Sequence, residues 1–283
     1  ILSVLEHKFP SFSKGQRTIA QFILKNYDKA AFMTAARLGE VTGVSESTVV
    51  RFAADLGYRG YPGMKKALQE IVRNRLTSVE RIEAAESTMD GHDVLKAVLR
   101  ADINNLQATL DEIDQDYFNQ AVDMILSAKH IYIIGMRTST TLADFLATYL
   151  KLLLDNVTVV KEIAAREVYE QLLRIGKGDL IIGISFPRYS KRTISAMKFA
   201  RDHGARCLGL TDGKVSPLNE ISDVCLYTKS EMVSFLDSLV APLSMINALI
   251  MAVSARDRAR TFETFRELEN VWKEYEVYGT VES

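Results

Sequence analysis

Cysteine is close to absent: 283 residues hold two, Cys207 and Cys225. Two thiols cannot build a disulfide framework, and a chain of this length needs none to hold a core, so a reducing compartment is expected. Histidine is equally sparse. His7, His92, His130 and His203 show no paired metal-ligand spacing, so neither a metal nor another cofactor is expected. No basic stretch followed by an apolar run opens the chain, and a cytoplasmic location is the expectation. An excess of one charge is also missing, with 35 Lys and Arg against 36 Asp and Glu for a net −1. One long apolar stretch, Phe235 to Val253, is interrupted by Asp237, Ser238, Pro242, Ser244 and Asn247. Each of these is costly in hydrocarbon, so a buried helix of a large core is expected there and no membrane contact.

What remains is ordinary globular composition, 47% apolar and 25% charged, which excludes a mainly disordered, collagenous or repetitive chain. At roughly 150 residues per domain, the length suggests two domains. The near-neutral total hides a segregation. Residues 1–77 carry 12 Lys and Arg against 6 Asp and Glu, a balance of +6 that leaves −7 on the remainder. A basic head on an acidic body points to a nucleic-acid-binding module joined to something else. Thr77 to His92 (TSVERIEAAESTMDGH) is polar and acidic and reads as a linker. The expected organisation is a head over 1–77, a connection over 78–91 and a body over 92–283.

The head reads as helices around a tight turn. Ile19, Phe22, Ile23 and Tyr27 share one face of a helix over Ser13 to Tyr27. A second helix starts near Thr34, a candidate N-cap, and carries Ala35, Leu38 and Val41. Gly43 supplies the positive φ that ends it, and Ser45 caps the next helix, Glu46 to Leu56. In that helix Val49, Phe52, Ala53 and Leu56 face the core. Helix, short turn with Gly and Ser, then a helix with a polar first turn describes a helix-turn-helix whose second helix enters the major groove of duplex DNA. The candidate DNA-binding residues are Ser45, Glu46, Ser47, Thr48 and Arg51, with Lys65 and Lys66 on a following helix as phosphate contacts.

The run GVSESTVVRFAADLGYRGYPGMKKAL, Gly43 to Leu68, resembles the N-terminal domain of the RpiR/MurR family of bacterial transcriptional regulators. That family has a Val-Ser-x-x-Thr-Val-x-Arg-Phe recognition helix and then a Leu-Gly-aromatic-x-Gly-aromatic segment. Val44, Ser45, Thr48, Val49, Arg51, Phe52, Leu56, Gly57, Tyr58, Gly60 and Tyr61 all fall in register.

The body changes texture. A polar helix pair, His92 to Ile113 and Asp116 to Ala128, precedes short β-rich runs at Ile131–Ile134, Val157–Val160, Asp179–Ile184, Arg206–Leu210 and Val224–Tyr227. Helical patterns alternate with them, and Asp179–Ile184 is apolar with almost no alternation, as strands covered on both faces are. The fold class expected is therefore an all-α helix-turn-helix domain plus an α/β domain with a five-stranded parallel sheet flanked by helices. Ligands of such sheets bind beyond the carboxyl ends of the strands. Three ends carry polar chemistry: Gly135 to Thr140, Ser185 to Ser190, and Thr211 to Gly213 continuing to Ser216 and Pro217. Hydroxyls and free N–H groups at helix starts suit an anion, and Arg137 and Arg188 add a bidentate grip. Capping and turn formation would use the same Ser, Thr, Asp and Gly.

Leu95 to Ser254 resembles the sugar isomerase (SIS) domain that follows the helix-turn-helix in RpiR/MurR proteins. Of the family's Gly-x-Gly-x-Ser loop, Ser139 matches and Arg137 replaces a Gly. Of its phosphate loop, Ser-x-Ser-Gly-x-Thr, Ser185 matches, Ser190 stands for the Thr, and Pro187 and Arg188 replace Ser-Gly. Thr211-Asp212 followed by Ser216-Pro217-Leu218 also fits. The resemblance implies a regulator of carbohydrate metabolism with an effector site of Arg137, Thr138, Ser139, Ser185, Arg188, Ser190 and Thr211. Pro187 removes one phosphate donor while the two arginines restore positive charge, so a sugar phosphate comes first and a sugar acid, plain or phosphorylated, second.

Enzymatic readings are weaker. A sugar-phosphate isomerase needs a tuned base, for which Glu162 and Glu167 are the candidates. Gly183-Ile184-Ser185-Phe186-Pro187 approaches a nucleophile elbow, but its last Gly is Pro and the only later histidine, His203, has no strand end before it to supply an acid. Cys207 and Cys225 fall within strands, as core thiols do. No catalytic residue is assigned. Helix-turn-helix modules read paired half-sites, so a homodimer or a dimer of dimers is expected. Near the C-terminus Phe262, Phe265, Leu268, Trp272 and Tyr275 form a helical stripe. It either packs within the chain, as such stripes usually do, or crosses to a partner.

Overall fold

The computed structural model describes residues 1–75, 79, 93–161, 167–231 and 236–278. The chain divides into two compact units, Ile1–Ala84 and Ala85–Ser283. The segment read as a linker, 78–91, lies outside the described residues apart from Val79.

The first unit is helical: α1 (Leu2–Lys8), a 3-10 turn (Phe9–Ser11), α2 (Lys14–Lys25), α3 (Tyr27–Ala30), α4 (Ala35–Thr42), α5 (Glu46–Asp55) and α6 (Gly60–Arg75). Its starts are set by side-chain oxygens that satisfy otherwise unpaired first-turn N–H groups. Ser13 and Gln16 form a reciprocal capping box at α2, Thr34 accepts from the Arg37 N–H at α4, and Ser45 accepts from the Thr48 N–H at α5. Ile19, Ile23, Leu38, Phe52, Met64 and Leu68 are fully buried in one core, where Phe12 meets Phe52 edge to face at 5.3 Å. The buried Tyr61 hydroxyl donates to the Met33 carbonyl at 3.0 Å, and burial pushes its pKa up to about 12. Helices α1 and α3, of 7 and 4 residues, are too short to show a helical period and were not expected.

The second unit runs α7 (Val94–Glu112), α8 (Gln115–Leu126), β1 (Ile131–Gly135), α9 (Thr138–Leu153), β2 (Val157–Val159), α10 (Glu167–Gln171), β3 (Leu180–Ile184), α11 (Lys191–Asp202), β4 (Arg206–Thr211), β5 (Val224–Tyr227), α12 (Val240–Arg256) and α13 (Arg258–Glu274). The five strands form one parallel sheet in the order β2-β1-β3-β4-β5. Alternate strand residues feed two cores, because successive side chains point to opposite faces. Ile133, Ile182 and Leu208 pack with α8, α9 and α12 on one face, and Ile134, Ile181 and Cys207 with α10 and α11 on the other. Sheets covered on both sides are the ones whose strands read as unbroken apolar runs.

Gly183 and Gly209 are paired across β3 and β4. A Cβ on Gly183 would collide with the Met197 sulfur of α11. One on Gly209 would lie 2.7 Å from both Cys225 Sγ and Ser222 Oγ. Close approach of neighbours to the sheet requires glycine at both positions.

Helix α9 begins at Thr138, because the chain turns sharply at Arg137 and enters the helix at once. The C-terminal stripe does form a helix, α13, but none of its residues is buried. Phe265 packs against the sheet core, while Phe262 and Tyr275 stay exposed. The helix lies on the outside of α9 and α12, where only one edge of the stripe finds cover. Of the apolar run at 235–253, Phe235 lies outside the described residues and Val240–Val253 falls in α12; no helix among the described residues is long and apolar enough to cross a membrane.

Candidate nucleic-acid interface and ligand site

Helices α4 and α5 meet through a turn closed at both ends. Gly43 takes φ +69, a left-handed conformation that glycine adopts without penalty. The Val44 N–H donates to the Gly39 carbonyl at 2.9 Å. A Cβ on Gly39 would lie 2.7 Å from the Val44 oxygen, so the second helix of the motif packs against bare backbone of the first. Ser45 Oγ also lies 2.9 Å from Ser47 Oγ and 2.8 Å from Thr48 Oγ1. The Ser45 hydroxyl is thus occupied in capping. Glu46, Ser47 and Arg51 are exposed and Thr48 half-buried; Ser47 and Arg51 lie on the side of α5 away from buried Val49, Phe52 and Ala53. Lys65, half-buried, and Lys66, exposed, sit on α6.

The second site lies at the carboxyl ends of β1, β3 and β4, which are neighbours in the sheet and level in register, Gly135 beside Ile184 and Ile184 beside Leu210. The strand order reverses between β1 and β3, the place where open α/β sheets bind ligands. After β1, the chain turns at Arg137 with φ 58 and ψ −125. The Ser139 N–H donates to the Met136 carbonyl at 3.2 Å and the Thr140 hydroxyl to the Gly135 carbonyl at 2.9 Å. Ser139 is buried, while Arg137 and Thr138 are exposed. A Cβ on Gly135 would collide with the Ser139 carbonyl, so the first turn of α9 stands directly over the strand end.

After β3, Ser185 is buried and its hydroxyl accepts from the Ser190 N–H at 3.1 Å. The Ser190 hydroxyl in turn accepts from Thr193 N–H at 3.3 Å, capping α11. Arg188 between them is exposed and takes φ 67. After β4, the fully buried Thr211 hydroxyl donates to Ser216 Oγ at 2.7 Å and lies 3.1 Å from Asp212 Oδ1.

Two residues outside the sequence-based set belong here. The Tyr189 hydroxyl donates to Asp212 Oδ1 at 2.8 Å and ties the β3 loop to the β4 loop. Burial pushes the Asp212 carboxyl above its ordinary range, against the lowering effect of the bonds from Tyr189 and Thr211. The signal for Asp212 was its place one residue past a strand; nothing local marks Tyr189. Of the isomerase candidates, Glu162 lies outside the described residues and Glu167 opens α10. Cys207 and Cys225 are free and buried. Burial, with Asp223 nearby, pushes the Cys207 thiol up to about 12, the opposite of what a nucleophile needs.

Residues 1–75 match the family model of the helix-turn-helix domain of the rpiR family, and residues 124–252 that of the SIS domain. The sugar isomerase domain of the RpiR transcription factor from Sphaerobacter thermophilus is 30% identical, with a TM-score of 0.60 over 63% of this chain and 99% of that one. The HTH-type transcriptional regulator HexR of Pseudomonas aeruginosa is 27% identical over 90% of this chain and 90% of its own. The Vibrio vulnificus NanR protein, solved in complex with ManNAc-6P, shares the fold, at 23% identity and a TM-score of 0.60 over 97% of this chain and 98% of that one. Two matched modules in the same order, on the helix-turn-helix and the parallel sheet described above, place the chain in the RpiR family of helix-turn-helix transcriptional regulators that carry a SIS domain.

Proposed function

We propose that α5 reads operator DNA in the major groove and that a small anionic sugar at the β1/β3 edge changes the affinity of that grip. In this reading Glu46, Ser47, Thr48 and Arg51 face base edges and phosphates, Ser45 sets the helix start, and Lys65 and Lys66 hold the backbone. Two copies or four act on paired half-sites in the cytoplasm.

The observation that carries the ligand half is the backbone under two arginines. Arg137 and Arg188 both take positive φ, at the ends of adjacent strands that flank the switch point. Such conformations cost a side-chain-bearing residue roughly 1–3 kcal/mol and persist where the side chain serves a purpose. Two arginines on the strand-end loops that, with the neighbouring β4 end, carry Ser139, Ser185, Ser190 and Thr211 suit a ligand with more than one anionic oxygen. A sugar phosphate is the first class, supported by the ManNAc-6P bound to the Vibrio vulnificus protein; a sugar acid or its phosphate is the second. A tenfold change in operator affinity needs ~1.4 kcal/mol of differential binding between two states of the regulator.

The chain is read as a sensor rather than an isomerase, since no described residue at this edge combines a free carboxylate or imidazole with a base-like environment; Asp212, the acid that is there, is held by Tyr189. A promoter-fragment shift assay with a panel of sugar phosphates and sugar acids tests the proposal. At least one compound should shift the DNA affinity, and Arg188→Ala should weaken that compound's effect. DNA binding indifferent to the whole panel, or turnover of a sugar phosphate, overturns it.

A further inference from the structure

Helix α5 leaves one side of itself bare. Val49, Phe52 and Ala53 are buried, and at its far end Gln16 of α2 donates to the Asp55 carboxylate at 2.7 Å. At about 100° per residue, Ser47, Val50, Arg51 and Ala54 share one arc opposite the buried three. All four are exposed. They form two columns, each with members four positions apart: Ser47 with Arg51, polar, and Val50 with Ala54, apolar.

Val50 is the member of this face that folding does not explain. It is 40% exposed and belongs neither to the core of the first unit nor to the half-buried side chains packed around that core. Local propensity does not ask for it either. A β-branched side chain loses rotamer freedom in a helix, and alanine would serve better. A single exposed valine on an arbitrary surface carries no meaning. This one stands at the middle of the helix that follows the turn of a helix-turn-helix, in a segment with a balance of +6.

We infer that Val50, with Ala54 one turn on, is a base-reading contact that recognises thymine through its C5 methyl group. The inference rests on the reading of α5 as the helix that enters the major groove. The chemistry of the groove then selects the occupant. A side chain ending in two methyl groups neither donates nor accepts, so it cannot hold a phosphate. Laid against a polar base edge, it would strip water from a donor or acceptor and return nothing. The four bases present one apolar group in the major groove, the thymine methyl. Cytosine offers an amino group and a bare C5 at the same place, so the contact separates T·A from C·G. The surrounding positive charge attracts every duplex alike, and discrimination falls to the few side chains that reach the base edges. On this face the polar column reads hydrogen bonds and the apolar column reads a methyl.

The test uses the full chain and a pool of random-sequence duplexes. Duplexes that the wild type recovers are resynthesised with deoxyuridine in place of each thymidine in turn, which removes one methyl group and keeps every base-pair hydrogen bond. At one or two positions the wild type should bind about fourfold more weakly, the factor that burial of one such group gives. Val50→Ala, a better helix former at an exposed site, should keep the wild-type melting temperature and bind both forms equally at one of those positions. Arg51→Ala should retain the penalty there. Indifference of the wild type to every deoxyuridine overturns the inference while leaving α5 as the reading helix, and so does a Val50→Ala protein that keeps the full penalty at every position. A wild type that recovers no preferred sequence overturns the reading of α5 and this inference together.

Discussion

The Tyr189 hydroxyl donates to the Asp212 carboxylate at 2.8 Å, joining a loop that follows β3 to one that follows β4. Both neighbours of that bond, Arg188 and Thr211, are proposed ligand contacts, so the tie fixes the distance between them. Its acceptor is a carboxyl that burial pushes above its ordinary range. A folded-state pKa raised in this way favours folding while the group is protonated. That contribution is full below the unfolded value of about 4 and is lost as pH rises through the folded value. At neutral pH the ionised Asp212 therefore weighs against the fold. Asp212→Asn keeps an acceptor for Tyr189 and should raise the melting temperature at neutral pH, with the gain shrinking as pH falls toward about 4. A gain that is the same across this range would refute the assignment.

Arg137 holds a φ of 58 with ψ −125, a region open chiefly to glycine. Arg137→Gly should relieve strain while adding unfolded-state freedom, for a net gain of roughly 1 kcal/mol. It should also weaken anionic effectors. Calorimetric unfolding and ligand titration on the same variant would show stability and affinity moving in opposite directions; a parallel loss of both is the contrary result.

In the recognition helix, Arg51→Ala is expected to weaken operator binding by ~1–3 kcal/mol and to relax base preference at one position. Lys66→Ala should weaken binding about equally on all sequences and lower the salt slope by about 1. Affinity measured over a salt series on operator and random fragments separates the two. An Arg51 variant that loses equally on both fragments would move that residue to a phosphate.

Gly39 lies so close to the Val44 carbonyl that a methyl group has no room. Gly39→Ala should destabilise the first unit by roughly 1–3 kcal/mol, as overpacking does, and abolish DNA binding at moderate temperature. The melting of the second unit should be unchanged, since each unit has its own core. A single shared transition displaced as a whole would contradict this.

The sheet and the helix-turn-helix were legible in the sequence because their signals are local. A doubly covered strand such as Leu180–Ile184 is a plain apolar run, and Gly43 with Ser45 marks a turn within three positions. What escaped was either too short to show a period, as in α1 and α3, or non-local. Tyr189 and Asp212 stand 23 positions apart, and only the neighbouring placement of β3 and β4 brings them together. The stripe of α13 left its cover open for another reason. Periodicity reports that a helix has an apolar side, and what covers that side depends on where the helix is laid. Helix α7 makes the same point in reverse, since its buried residues are the polar Asn105 and Thr109, which bond to the backbone of Glu231 and Lys229.

Gly183 touches no proposed ligand atom, yet it leaves the space in which the Met197 side chain of α11 rests on the sheet. Ser190, at the head of that helix, rises or sinks with it. A single methyl group in this notch would press on that side chain and, through it, on the rod that carries Ser190. Drift in effector preference among related chains can therefore begin in the floor of the site, at positions that a survey of contacting residues would pass over.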